Sequence, residues 1–182
     1  LCLVACDLTL DPNTANTFLT LSETNRKVTN VREYRPYFYH PDRFIEWPQI
    51  LCKESLTGRC YWEVEWSGAK VDISVSYKGI NRKGWRNDSW FGANENSWSL
   101  NCFNDRFTAS YNNKTSNIPV PSSHSNRVGV YLDWSAGILS FYSVSDKHTL
   151  THLYTFNSTF TEPLYAGFVL YSVSSVSLCE IK

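Results

Sequence analysis

Residues 57–66, TGRCYWEVEW, are the stretch that decides the fold of this chain. After a short turn, large apolar and polar side chains alternate, and successive side chains of a β-strand point to opposite faces. Trp62 and Trp66 therefore share one face of a strand, while Glu63 and Glu65 share the other. Each indole covers about 150–250 Å² when it is buried. A strand with two of them needs a second layer to pack against, so the stretch predicts a β-sandwich.

The composition agrees with an all-β fold. The 182 residues fit one domain, and 15% of them are aromatic, which favours pleated, half-buried surfaces. Seventeen basic and seventeen acidic side chains cancel to a net charge of zero, so there is no overall attraction toward nucleic acid. No apolar run reaches the roughly 20 residues that span a bilayer. We expect neither nucleic-acid binding nor membrane insertion by this domain.

Alternating segments separated by turn residues recur along the whole chain, as a sandwich requires. They predict about a dozen short strands and at most one or two short helical turns. The predicted strands are residues 6–10, 18–21, 27–31, 50–54, 60–66, 71–77, 97–103, 106–111, 127–133, 138–143, 149–156, 163–170 and 175–181. Residues 32–48 predict an aromatic loop with one helical turn at 42–46. Residues 78–96 predict a long polar loop, and residues 112–117 a polar turn region.

The six cysteines form no C-x-x-C pair, so zinc and redox motifs are unsupported. A chain of this length builds a core without disulfides. Cys60, Cys102 and Cys179 lie in predicted strands, where a free cysteine behaves as a small apolar residue. We therefore expect reduced thiols.

Catalysis has no positive support in the sequence. Glu63 and Glu65 lie about 7 Å apart on a strand face, near the separation of a retaining glycosidase pair, but an exposed face or a salt bridge explains them better. His148 and His152 lie about 13 Å apart on a strand, too far for one metal. No Ser-His-Asp order or phosphate loop is present. We expect no enzyme activity, no metal and no cofactor.

Three ordered motifs resemble a known family. The first motif is spread over the N-terminal part of the chain. It begins with LDPNTA at 10–15 and the stretch from LS to RKV at 21–28, and it ends with RF at 43–44 and ILC at 50–52. The second is GRCYWEVE at 58–65, and the third is VGVYLDW at 128–134, continued to FY at 141–142. Together they resemble the PRY–SPRY domain of tripartite-motif proteins, butyrophilins, fish NOD-like receptors and stonefish-type toxins. The amino-acid sequence of the chain is most similar to fish sequences. Cys60 stands where the family usually has His, and Trp134-Ser135 where Tyr-Glu is common.

The resemblance implies a bent, concanavalin-like sandwich of two antiparallel sheets. It implies a PRY segment at 1–55 and a SPRY core at 56–182, which form one compact domain of a larger protein. It also implies a protein-recognition module, monomeric in isolation, from a cytoplasmic innate-immune tripartite-motif or NOD-like receptor protein. Two alternatives stay open. One is a pocket for a small phosphorylated ligand or a glycan, of butyrophilin or lectin type. The other is the C-terminal domain of a secreted pore-forming toxin.

The predicted partner-binding loops are residues 32–42, 78–94, 101–117 and 170–174, because loops on a rigid scaffold vary without unfolding it. Trp, Tyr and Arg dominate binding hot spots. By resemblance, antibody-binding relatives use an Asp at Asp72, the loop at 83–85 and two tryptophans at Asn101 and Phe103, so Asn101 departs from that pattern. The predicted contact residues are Tyr37, Tyr39, Asp72, Lys83, Trp85, Arg86, Trp90, Asn101, Phe103 and Tyr171. A basic pocket would need Arg82, Lys83 and Arg86 to converge.

Overall fold

A computed structural model describes residues 4–122 and 125–181. These residues form thirteen strands and no helix, and the strands pair antiparallel in two sheets, which confirms the predicted fold class. The strands are β1 (Leu19–Ser22), β2 (Lys27–Asn30), β3 (Gln49–Leu51), β4 (Arg59–Ser67), β5 (Lys70–Tyr77), β6 (Ser97–Phe103), β7 (Arg106–Tyr111), β8 (Lys114–Ile118), β9 (Arg127–Asp133), β10 (Ile138–Val144), β11 (Leu150–Asn157), β12 (Leu164–Leu170) and β13 (Ser174–Leu178).

The first three strands are shared between the two sheets. The seven-stranded sheet has the order β1-β2-β13-β4-β9-β10-β11, and the six-stranded sheet has the order β3-β12-β5-β6-β7-β8. β2 pairs with β13 and β3 pairs with β12, so the N-terminal strands lie against the last strands of the chain. Both sheets therefore need the N-terminal segment to be complete.

β4 lies inside the seven-stranded sheet and has the two faces that its sequence predicts. Trp62 and Trp66 are buried in the core between the sheets, at 2% and 7% exposure. On the other face, Glu63 is buried and forms an ion pair with Arg127, with 2.7 Å between the carboxylate oxygen and Nε. The salt-bridge interpretation is confirmed for Glu63, while Glu65 is exposed.

The outer face of the six-stranded sheet carries a second apolar cluster: Phe44, Leu51, Ile80, Phe91 and Val169. The cluster orders the predicted long loop, which folds back over the sheet. The terminal amide of the buried Gln49 fixes this loop with two hydrogen bonds. Its NH₂ group donates to the carbonyl of Ser89 at 2.7 Å, and its oxygen accepts from the Phe91 N–H at 2.9 Å. The loop is therefore a packed layer over the sheet.

Three local predictions are wrong. Residues 6–10 form no strand; Leu10 makes only an isolated bridge with Cys52, because the segment runs along β3 and β4 without a continuous ladder. Residues 42–46 form no helical turn. The Arg43 N–H donates to the His40 carbonyl and closes a tight turn, and the chain bends after it at residues 45–47. Residues 112–117 contain most of β8, an edge strand whose first four side chains are exposed, so no apolar alternation marks it.

The expectation of reduced thiols is wrong for Cys60, which forms a disulfide with Cys6. The Cys6 N–H donates to the Tyr61 carbonyl at 2.9 Å, and this bond holds the N-terminal segment beside β4. Within the described residues Cys52, Cys102 and Cys179 are free, and burial raises the pKa of the Cys52 and Cys102 thiols. Both therefore stay protonated and unreactive. Cys2 lies outside the described residues.

Candidate functional site

The outer face of the six-stranded sheet contains a cleft of about 390 Å³. Residues 90–93 of the long loop line one side of it. Four polar side chains that oppose one another across β5, β6, β7 and β8 also line it, and we call them the polar row: Asp72, Asn101, Thr108 and Asn117. A parallel cross-strand set contributes an aromatic ring and two cations: Lys70, Phe103 and Arg106. The cleft thus combines polar, charged and aromatic groups.

Asp72 is the buried charge of the cleft, at 1% exposure. The Tyr171 hydroxyl donates to its Oδ2 at 2.7 Å, and the Trp90 indole N–H donates to the Tyr171 hydroxyl at 3.1 Å. Its other oxygen, Oδ1, has no hydrogen-bond partner among the residues that the structure describes. A buried acceptor without a donor is costly. Asp72, which lines the cleft, therefore carries one unsatisfied oxygen.

The protonation of Asp72 follows from this burial. Burial raises its pKa from 3.8 to about 7, and the hydrogen bond from Tyr171 and the nearby charge of Lys70 oppose that rise. The Lys70 ammonium lies over the Tyr171 ring, 4.1 Å from its centroid. Burial and the Asp72 carboxylate raise the pKa of Tyr171, so its hydroxyl remains a donor. Asp72 thus changes its charge near neutral pH.

The middle of the polar row is held by side-chain hydrogen bonds. The Asn101 amide donates to Thr108 Oγ1 at 2.8 Å and to Ser110 Oγ at 2.7 Å. Gly92 lies directly above this region, since a Cβ built on it would approach Ser99 Cβ to 2.9 Å. Its φ of +87° also favours glycine. The loop can cover the sheet this closely only because residue 92 lacks a side chain.

Three tryptophans connect the cleft to the tip of the long loop. Trp90 stacks on Trp47, with 4.7 Å between ring centroids and 8° between planes. Trp47 contacts Trp85 edge to face at 5.0 Å and donates its indole N–H to the Arg86 carbonyl. Trp85 is 65% exposed. An exposed aromatic surface thus continues from the cleft to Trp85.

The structure brings five of the ten predicted contact residues together. Asp72, Trp90, Asn101 and Phe103 line the cleft, and Tyr171 is bonded to two of them. Lys83, Trp85 and Arg86 are exposed on the adjoining loop.

The two predicted tyrosines of residues 32–42 do not line the cleft. The Tyr37 hydroxyl donates to the Leu19 carbonyl, and the Arg43 guanidinium lies 4.7 Å from the Tyr37 ring centroid. Tyr37 therefore stabilises the loop in which it lies. Tyr39 is 77% exposed beside Phe38, which is 94% exposed.

The basic side chains of the long loop do not all face solvent. Arg82 donates to the carbonyls of Lys78, Ile80 and Asp42 and lies over the Phe44 ring. Its guanidinium is therefore engaged in holding the loop. Arg82 cannot join Lys83 and Arg86 in a basic pocket without breaking these contacts.

The sequence predicted the binding segment 101–117 but singled out none of Arg106, Thr108 and Asn117 within it, and it missed Lys70 and, for the aromatic surface, Trp47. The signal for Thr108 and Asn117 was the strand register. Two tight turns fix it, because Asn104-Asp105 and Asn112-Asn113 all have positive φ, as a two-residue hairpin turn requires.

Within the described residues, no group of three or more His, Cys, Asp and Glu side chains is placed to hold a metal ion. In the same ranges no helix has the length and apolar character needed to cross a membrane.

The class of this domain follows from comparison with known families. The family model described as SPRY-associated domain matches residues 8–56, and the SPRY domain model matches residues 59–180. The chain belongs to the SPRY family, as its motifs predicted. SPRY domains are typical protein-interaction modules and are generally non-enzymatic.

Individual relatives fall into two groups. The chain is 43% identical over 166 residues to stonustoxin subunit beta of Synanceia horrida, covering 91% of this chain and 23% of that protein. It is 43% identical over 169 residues to tripartite motif-containing protein 16 of Mus musculus, covering 91% of this chain and 30% of that one. The chain thus spans less than a third of the length of these relatives.

Solved structures show the same two groups. The stonustoxin structure superposes with a TM-score of 0.87 at 41% identity, over 96% of this chain and 27% of that one. The PSpry domain of TRIM65 superposes with a TM-score of 0.86 at 32% identity, over 97% and 91% of the two chains. Toxin subunits and tripartite-motif proteins therefore share this sandwich.

Proposed function

We propose that this chain is a protein-recognition domain whose partner docks on the cleft and on the aromatic surface beside it. The observation that carries the proposal is Asp72, a buried carboxylate with a free oxygen at the base of the cleft. A partner that supplies a donor there would remove the cost of the unsatisfied acceptor. Phe103 and Trp85, at 48% and 65% exposure, offer the aromatic area typical of hot spots.

The proposed contact set keeps the predicted residues and divides them by role. Asp72, Tyr171 and Trp90 form the hydrogen-bonded base, with Asn101 and Phe103 beside them. Lys83, Trp85 and Arg86 extend the surface along the loop, and Tyr37 and Tyr39 belong to a separate loop that a large partner would reach. We propose that the isolated domain is a monomer and that it forms one unit from residue 1 to residue 182, divided near residue 56.

For the parent protein we propose a cytoplasmic innate-immune receptor or ligase of tripartite-motif or NOD-like receptor type. The similarity to tripartite motif-containing protein 16 and to TRIM65 supports this assignment. In such a protein this domain selects the target, and any enzymatic step belongs to other domains.

A test of the proposed surface begins with selection from a phage-displayed peptide library against the domain. Hydrogen–deuterium exchange of the selected complex should then show protection at residues 70–72, 90–93 and 101–108. Protection confined to the seven-stranded sheet would contradict the proposed surface.

A second candidate is the corresponding domain of a secreted toxin subunit. The Cys6–Cys60 disulfide supports it, because disulfides persist mainly in oxidising compartments. The 43% identity to stonustoxin subunit beta points the same way. Expression of the full-length protein in fish cells separates the candidates: recovery from the medium favours the toxin, and retention in the cytosol with a reduced Cys6 favours the receptor.

A further inference from the structure

The polar row runs across four strands and ends at the edge of the sheet. Asp72 lies opposite Asn101, which lies opposite Thr108. Thr108 in turn lies opposite Asn117 on β8, the last strand of the six-stranded sheet. Neighbouring strands are about 4.8 Å apart, so the row is about 14 Å long. An extended polypeptide advances about 3.3 Å per residue and would cover it with about four residues.

The row offers different hydrogen-bonding groups along its length. At its deep end lies Asp72, whose Oδ1 is a buried acceptor without a donor among the described residues. In the middle, Thr108 Oγ1 already accepts from Asn101, so its own hydroxyl hydrogen is left to donate outward. At the edge, the Asn117 amide is exposed and can both donate and accept. These groups match the alternating N–H and C=O groups of an extended backbone.

The deep end has the chemistry of an arginine site. An arginine presents five N–H donors on a planar group that stacks on aromatic rings and is more weakly hydrated than an ammonium. Trp90 and Phe103 line the same cleft as Asp72 and provide such rings. A charged donor on a buried carboxylate is also the stronger kind of hydrogen bond.

Two cations lie in the same cleft and affect the choice of partner. Lys70 lies on β5 and Arg106 on β7, the strands that also carry Asp72 and Thr108 of the row. They would repel an isolated cation, and they would attract a carboxylate next to it. The charge pattern of the cleft is therefore complementary to an arginine with an acidic neighbour.

We propose that the cleft binds an extended segment of the partner protein, whose arginine side chain reaches Asp72 Oδ1 while its backbone runs along Thr108 and Asn117 toward β8. This inference rests on the proposed recognition function and specifies the chemistry of the ligand. It also adds Thr108 and Asn117 to the site as specificity-determining residues.

The ionisation of Asp72 supports this assignment. Its pKa of about 7 means that a bound guanidinium would stabilise the charged form. The titratable groups that interact with it are Lys70 on its own strand, Tyr171 after β12 and Cys102, which lies in the core on the other face of β6. Burial raises the pKa of the Tyr171 hydroxyl and the Cys102 thiol, so Asp72 is the group that titrates near neutral pH. Binding of the arginine segment should weaken as the pH falls below about 7.

The test uses immobilised libraries of short degenerate peptides with one fixed position. One library fixes arginine, and its matched control fixes citrulline, which has the same shape without the charge. The domain of residues 1–182 should prefer the arginine library about tenfold, which corresponds to one charged hydrogen bond. The strongest arginine sequences should carry Asp or Glu next to the arginine.

Variants assign the preference to the polar row. Asp72→Asn keeps the shape of the side chain and should abolish the preference for arginine over citrulline. Thr108→Val and Asn117→Ala should weaken binding of the arginine peptides about threefold each while the preference remains. A thermal melt of each variant shows that it is folded.

Three outcomes would overturn the inference: equal binding of both libraries, an arginine preference that survives Asp72→Asn, or binding of glycans on an array in place of peptides. If hydrogen exchange maps a selected partner to the cleft but no arginine preference exists, only this inference fails. If the partner protects residues outside the cleft, the proposed function fails as well.

Discussion

Asp72 makes the cleft electrostatically unusual, because it is a carboxylate that is only 1% exposed and has one oxygen without a donor among the described residues. Its Oδ2 is satisfied by Tyr171, and its Oδ1 is buried without a donor in the described structure. The protein therefore keeps a group at this position that lowers its stability in the ionised state. Such a group is expected where binding requires it.

This burial predicts how stability depends on pH. Because the folded state raises the pKa of Asp72 from 3.8 to about 7, it holds the proton more tightly than the unfolded state. Asp72 therefore makes its full contribution to the free energy of unfolding below pH 4. As the pH rises from 4 toward 7, this contribution falls by about 1.4 kcal/mol per pH unit. Asp72→Asn should remove this dependence and leave the variant more stable than the parent at pH 8.

Urea unfolding of both proteins at pH 4, 6 and 8 measures the effect. The two proteins should be similar at pH 4 and should diverge above it. Identical pH profiles for the parent and Asp72→Asn would contradict the buried, ionisable state of this residue.

The other residues of the site differ in how far their roles could be predicted from the sequence. Asp72 and Phe103 were predicted from the family resemblance, and Trp90 from the composition of its loop. Cys6 could not be paired with Cys60 from the sequence, because 54 residues separate them and no motif links them. Trp47 was not singled out, since six aromatics in an aperiodic segment look alike until one of them stacks on Trp90.

At the scale of elements, the alternation of side chains predicted most strands, because most of them bury one face. It failed at β8, whose first four side chains are exposed and therefore show no period. The Asn112-Asn113 turn would have located this strand, since it resembles the Asn104-Asp105 turn that precedes β7. The loop of residues 78–96 was recognised as a loop, but its close packing on the sheet depends on tertiary contacts.

Gly92 tests how this loop is held over the polar row. A Cβ at residue 92 would lie 2.9 Å from Ser99 Cβ and 3.0 Å from Ser110 Cβ, and the φ of +87° is unfavourable for alanine. Gly92→Ala should therefore destabilise the domain by about 1–3 kcal/mol and should lift the loop from the cleft.

Gly79→Ala is the matched control in the same loop, because a Cβ there meets no atom within 4 Å. It should change the free energy of unfolding by less than about 0.5 kcal/mol. Chemical denaturation compares the two variants, and equal effects would contradict the close approach at Gly92.

The pairing of β4 with β9 gives a second prediction at this scale. Arg127→Ala would leave the buried Glu63 with only the hydrogen bond from Tyr61. Removing one partner of such an ion pair should lower the free energy of unfolding by about 2–3 kcal/mol, somewhat less than for a fully buried pair.

Arg59→Ala provides the comparison, because Arg59 is on the same strand as Glu63 and is exposed. Its effect should be within about 0.5 kcal/mol. Urea unfolding measures both variants, and a loss at Arg127 no larger than at Arg59 would show that Glu63 does not depend on the ion pair.

At the scale of the whole molecule, the fold joins the ends of the chain. The N-terminal strands complete both sheets by pairing with β12 and β13, and the long loop covers the outer face of the six-stranded sheet. The sandwich and its family were predictable because their motifs lie in the core. The base of the cleft was predictable only in part, since it depends on which side chains of four strands come into register.

We propose that the cleft and the adjoining aromatic surface bind a partner. The most direct measurement is titration calorimetry of a selected partner with Phe103→Ala, Trp85→Ala and the control Leu150→Ala, which alters an exposed apolar residue on β11. The first two variants should each weaken binding by about 2 kcal/mol without unfolding, while Leu150→Ala should bind like the parent. Unchanged affinity in both aromatic variants would contradict the account.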